Sequence, residues 1–125
     1  MFIDTKRKIK VKGNYYRLNI KTYNNNRIWL TCSNKNGDYN ITINIEELYL
    51  DQGRAFLNPD IKRNGLLKEL KKKRIIKEIC GITYYNSKEI LVASFNMGIL
   101  RCYDNAGMNN YVCQINGIKK FGGND

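Results

Sequence analysis

Period-two alternation fills the first third of the chain and restricts its fold more than any other feature. In YYRLNIKTY, Tyr16, Leu18 and Ile20 point one way while Arg17, Asn19 and Lys21 point the other. RIWLTCSN repeats the pattern with Ile28, Leu30 and Cys32 inside, YNITINIE with Ile41, Ile43 and Ile45, and KIKVK with Ile9 and Val11. β-Branched and aromatic residues at this period mean half-buried strands. The connectors Gly13-Asn14, Asn24-Asn25-Asn26 and Asn34-Lys35-Asn36-Gly37-Asp38 carry turn chemistry. Residues 8–46 are therefore expected to form an antiparallel meander of about four strands, apolar on one face and polar on the other.

The register changes in EELYLDQGRAFLNPD, where Leu48, Leu50, Phe56 and Leu57 are burial candidates around a turn at Asp51-Gln52-Gly53. Strands are expected over about 8–57. Asn58-Pro59-Asp60 then reads as a helix start, with Asn capping, Pro at the first position and an acid in the first turn. That helix is expected over about 59–73, tolerating Gly65 in its interior at a cost of about 1 kcal/mol. On a helical wheel, Leu66, Leu67 and Leu70 share one side while Ile75, Ile76 and Ile79 fall on the other, so the helix must end near Lys72 to Arg74. Lys73 borders the leucine stripe, where its stem would pack. RIIKEI should be loop or strand before Gly81. Strands are expected again over about 75–116, as ITYYN, EILVASFN, GILRCYD and NYVCQIN, with a frayed tail at 119–125. The sum is one α+β domain over 1–125, its single central helix packed on antiparallel sheet.

The 125 residues contain no histidine, which removes Ser-His and Cys-His nucleophile pairs, His-ligated metals and imidazole acid–base catalysis. Cys32, Cys80, Cys102 and Cys113 lie far apart, each in an apolar setting, and read as small buried hydrophobes rather than a metal set. Pro59-Asp60 with Glu69-Leu70-Lys71 spells the PD…ExK pattern of metal-dependent nucleases. However, the ExK falls in a helix instead of a strand, and the wheel sets its two carboxylates on opposite sides. Glu46, Glu47 and Asp51 read as a solvated strand end. No catalytic residue, metal or cofactor is expected, and the chain is read as a binding protein, not an enzyme. The opening MFIDTKRKIK has its charges after its apolar residues and no apolar core segment, so it is not a signal peptide; no stretch is long and apolar enough for a membrane, and a cytoplasmic location is expected.

Binding features are better represented. The chain carries 22 Lys and Arg against 11 Asp and Glu, a net charge of +11. A basic domain of this kind concentrates polyanions. The plain alternative is drift, because Asn, Lys and Ile are the residues that AT-rich coding favours. Several aromatics sit beside cations: Tyr15 with Arg17, Arg27 with Trp29, and Arg101 with Tyr103, while Tyr84-Tyr85 adds a pair. Rings that stack bases beside cations that hold phosphate are how sheets bind single strands or nucleotides. On the meander, Tyr15, Arg17, Lys21 and Tyr23 share the polar face, which Arg27 and Trp29 extend. The run from Lys71 through Lys72 to Arg74 is first a helix end, where cations complement the dipole, and second an anion site. Candidate partner or anion contacts are thus Tyr15, Arg17, Lys21, Arg27, Trp29, Arg54, Lys71, Lys72, Arg74, Tyr84, Tyr85, Arg101 and Tyr103. Edge strands at residues 8–12 or 109–116 offer a route to a homodimer.

The segments GRAFLNPD and NGLLKELKKKRI, followed by a glycine and short Tyr-containing strands, resemble a family of uncharacterised small domains carried by phages and conjugative elements of low-GC Gram-positive bacteria. The resemblance covers about residues 15–103, with Cys102-Tyr103 where that family closes on Tyr-Pro. It carries over no catalytic residues. It implies a mobile-element setting, in which small proteins block bacterial defence systems. The expected role is then an inhibitor of anti-CRISPR type that occludes a nucleic-acid or ribonucleoprotein surface. A single-stranded nucleic-acid-binding module and a sponge for an anionic nucleotide signal are the alternatives.

Overall fold

A computed structural model describes residues 7–117. Three strands of the meander form as expected, β1 (Lys8–Val11), β2 (Asn14–Thr22) and β3 (Ile28–Asn34), but the fourth, expected over YNITINIE, is instead the short β4 (Gly37–Asn40), which begins inside the expected turn; all four pair antiparallel in that order. Leu18 lies opposite Cys32 and Ile20 opposite Leu30, so the buried row of β2 and β3 faces the core together with Ile9 and Val11 of β1. The same register puts Lys8 beside Arg17, Lys10 beside Tyr15, Lys21 beside Trp29 and Arg17 beside Ser33 on the outer face.

The Ile41–Ile45 stretch does not remain in this sheet. Ile41 donates its N–H to the Leu30 carbonyl (2.9 Å) and accepts from the Asn58 N–H (2.9 Å), which stitches the first sheet to a second. Thr42 reinforces the seam: its Oγ1 accepts from the Leu30 N–H at 3.0 Å and donates to the Ile28 carbonyl at 3.1 Å. The second sheet comprises β5 (Thr42–Ile43), β6 (Arg54–Leu57), β7 (Ile76–Tyr85) and β8 (Lys88–Phe95), in the antiparallel order β5-β6-β8-β7. Its Ala55, Leu57, Ala93 and Phe95 join the main core, while Phe56 and Ile90 close with Ile45 into a smaller cluster under Leu48 and Leu50. The three isoleucines expected on one face are thus divided between two cores. Gly81 lies inside β7, just after a bulge, rather than before a strand.

Asn58 and Pro59 start a 3-10 turn (Pro59–Lys62), with Asn58 Oδ1 accepting from the Asp60 N–H at 3.0 Å. The continuous helix expected over 59–73 is broken by Gly65, which is not an interior residue but the start of α1 (Leu66–Lys72), at φ 83°. A left-handed residue cannot continue a helix, and glycine takes that conformation without a Cβ penalty. Leu66 and Leu70 are buried, whereas Lys73 is exposed instead of packing on the leucine stripe.

The largest correction concerns residues 97–116. GILRCYD and NYVCQIN are not strands but α2 (Met97–Tyr103) and α3 (Asn105–Ile115), so the fold is α+β with two sheets and three α-helices among the described residues. Both α2 and α3 are capped by a side chain: Asn96 Oδ1 accepts from the Ile99 N–H at 3.1 Å, and Asp104 Oδ1 from the Gly107 N–H at 3.1 Å. Leu100, Tyr103, Gly107 and Tyr111 recur at helical spacing and are all buried. The second proposed dimer edge, 109–116, therefore does not exist. The tail 119–125 lies outside the described residues. No helix among those described is long and apolar enough to cross a membrane.

Candidate functional site

The outer face of the first sheet collects cations and rings because the alternation that buries Ile9, Leu18 and Ile20 turns their neighbours outward. In a meander, alternate turns fall at the same end. The β1–β2 turn and the β3–β4 turn accordingly lie side by side, since Arg17 faces both Lys8 and Ser33. Between them is a shallow groove of about 600 Å3, lined by Lys8, Gly13, Asn14, Tyr15, Arg17, Ser33, Asn34, Lys35 and Asn36. Three cations, three amides, a hydroxyl and one aromatic ring converge there. Tyr15 is 58% exposed, with the Lys10 ammonium 5.4 Å from its ring centroid. Asn34 Oδ1 accepts from the Asn36 N–H at 2.8 Å and shapes the second turn. Cations and amides suit phosphate and base edges, and a ring at the rim suits stacking.

About 13 Å along β2 from Arg17, at roughly 3.3 Å per residue, the same face carries a second aromatic group. Trp29 stacks on Tyr23 with centroids 5.0 Å apart and planes 9° apart, and the Lys21 ammonium stands 4.9 Å over the indole. The indole thus meets both a ring and a cation. Its Nε1 donates to Asn40 Oδ1 at 3.1 Å. Trp29 is therefore a braced element of the face.

The structure separates most of the other candidates. Arg27 serves the fold: it donates to the Ile45 carbonyl at 2.8 Å and to the Leu48 carbonyl, with its guanidinium over the Phe56 ring. Arg54 pairs with Asp51 at 3.3 Å and lines, with Arg27 and the β2–β3 turn residues Asn25 and Asn26, a cavity separate from the groove. Lys71, Lys72 and Arg74 project from α1, whose buried side packs on the core, and none of them lines the groove. Tyr84 is exposed on β7, and Tyr85 donates its hydroxyl to Glu47, which raises the tyrosine pKa and lowers that of the carboxyl. Arg101 donates to Asn105 at 3.2 Å and to Asn109, tying α2 to α3, and Tyr103 is buried in the main core. Of the thirteen candidates, Tyr15 and Arg17 line the groove, and Lys21 and Trp29 share its face.

Lys8, Lys10, Lys35 and the turn asparagines were not singled out from the sequence. The first two were detectable, because KIKVK places lysines opposite its buried residues. Lys35 required knowing that two turns end together. Among the described residues no group of three or more His, Cys, Asp or Glu is placed to hold a metal ion. Asp60, one carboxylate of the nuclease-like pattern, is on the 3-10 turn against Arg63, and Glu69 is on α1. A scan against known protein families matches none, and comparisons with characterised proteins and with solved structures find no match either.

Proposed function

We propose that this chain is a binding protein that holds single-stranded nucleic acid on the outer face of its first sheet, anchored in the groove between the two turns. The observation that carries the reading is Tyr15: a ring more than half exposed, at the rim of a groove where Lys8, Arg17 and Lys35 converge. A base stacks on the ring, the cations take the phosphates on either side, and Asn14, Asn34 and Asn36 face the base edge. The Lys21–Trp29 pair continues the basic track along β2.

Fluorescence anisotropy of a labelled single-stranded oligonucleotide against rising salt tests the reading. Contact with about three phosphates gives a slope of about −2 in log K against log salt. Tyr15→Ala should weaken binding by about 1–3 kcal/mol. Arg17→Gln or Lys35→Gln should also make the salt slope shallower by about 0.7 each. A flat salt response, or affinity indifferent to all three changes, overturns it. In the setting that the family resemblance implies, the strand belongs to a host defence ribonucleoprotein, which the protein inhibits by occupying it. Recovery of an RNA–nuclease complex by tagged protein in a host lysate supports that narrower role, and its absence removes the role without touching strand binding.

A volume of about 600 Å3 also suits one nucleotide, since small-ligand sites span about 300–1,000 Å3. Calorimetry with cyclic and linear nucleotides separates a sponge, which binds them tightly, from a strand binder, which needs several phosphates in a row.

A further inference from the structure

An open strand edge is a template for pairing, and proteins guard such edges with charge, proline, bulges or a covering element. Most edges here are guarded. β1 carries Lys8 and Lys10, β4 is four residues long and carries Asp38, and β5 has only two residues. β2 extends past β1 over Leu18–Thr22, and there α3 covers it. β7 is the exception. It is the edge of the second sheet and spans ten residues, with both bulges before Gly81. From Gly81 to Tyr85 it runs in unbroken register with β8, and that stretch has no other strand beside it among the described residues. Residues 79–87, ICGITYYNS, contain neither a charge nor a proline in a chain that is 26% charged. Two large apolar side chains stand out from this edge, Ile82 at 54% exposure and Tyr84 at 69%.

We infer that β7 is a homodimer interface, pairing antiparallel with β7 of a second copy across a two-fold axis near Ile82. Charge selects a second copy over other occupants. Two molecules of net charge +11 repel wherever their cations meet, and this segment is a strand edge on which they can touch without facing like charges. A two-fold pair of this uncharged segment is complementary to itself, whereas an acidic peptide would have to reach outside it, to Lys77, Lys88 or Arg54, for a cation. An antiparallel pair centred on Ile82 sets the two Ile82 side chains against each other, flanked by Tyr84, and no charged residue from 79–87 faces another. The two four-stranded sheets become one continuous sheet. This inference does not depend on strand binding by the first sheet.

Sedimentation equilibrium over a range of protein concentrations tests it. The wild-type protein should sediment at twice the chain mass. Ile82→Lys and Tyr84→Lys, which place like charges across the axis, should each weaken dimerisation at least tenfold while leaving the melting curve cooperative. Both positions are exposed, so either variant can fold if the other does not. Lys72→Gln, on α1, should leave the dimer unchanged. A wild-type protein monomeric at high micromolar concentration overturns the proposal, as does a dimer that survives both lysine substitutions.

Discussion

Asp104 connects the helical end of the chain to its first sheet through a single carboxylate. Oδ2 accepts from the Ile20 N–H at 2.9 Å, where β2 has passed the end of β1, and Oδ1 caps α3 through Gly107. Asp104→Ala loses a cap and strands a buried backbone donor, so it should cost about 2–4 kcal/mol in urea unfolding. Gly107→Ala tests the same contact from the other side. Its Cβ would lie 2.4 Å from the Ile20 carbonyl oxygen and 2.3 Å from Asp104 Oδ2, which forces α3 off the strand. A loss of about 1–3 kcal/mol is expected from such overpacking. Cys32 sets a pH limit. Burial, and then the Asp38 charge, push its thiol from 9.0 to about 11, so the folded state keeps a proton that the unfolded state releases. This thiol's contribution to stability is therefore full below pH 9 and falls as pH rises through the interval to 11, by at most about 2–3 kcal/mol in all. Burial raises Tyr111 as well, which adds to the same trend. Urea unfolding across that range measures the slope, and Cys32→Val should reduce it.

Among the elements, the end of α1 explains the basic run without any ligand. The Ile75 N–H returns to the Leu70 carbonyl at 3.0 Å and the Arg74 N–H to Lys71 at 3.0 Å, with Leu70 and Ile75 both fully buried. That is a Schellman closure, and Arg74 occupies its left-handed position at φ 60°, where glycine is usual. Arg74→Gly should therefore raise stability by about 1 kcal/mol in thermal or urea unfolding. Lys71→Gln and Lys72→Gln should change neither fold nor strand binding. This helix end is legible in the sequence, because the Leu66, Leu67 and Leu70 set and the Ile75, Ile76 and Ile79 set cannot share one helical face. The meander was equally readable, since period two persists through β1, β2 and β3 and turn residues separate them. α2 and α3 were not. YVCQI is too short to tell period two from period 3.6, and the helical series from Leu100 to Tyr111 emerges only when Asp104 is read as a cap instead of the last residue of the strand GILRCYD. That misreading also displaced Tyr103 from the core to the surface. At the site, alternation reveals Tyr15 and Arg17 and places Trp29 on their face, but nothing local shows that Tyr23 and Lys21 pack on its ring.

For the whole molecule, the stitch at Ile41 joins two sheets back to core, which leaves one outer face for the groove and one open edge at β7. α1 packs beside β1, but none of its cations lines the groove. The proposed binding is consequently a matter of place: nucleic acid should bind at the paired turns, not at the basic run. A 15N–1H correlation spectrum titrated with a single-stranded oligonucleotide tests place directly. Cross-peaks of Lys8, Tyr15, Arg17 and the turn residues Ser33, Asn34, Lys35 and Asn36 should move together and saturate, while those of Lys71, Lys72 and Arg74 stay fixed. Shifts centred on Lys71 to Arg74, or a spectrum that does not change, would contradict the account.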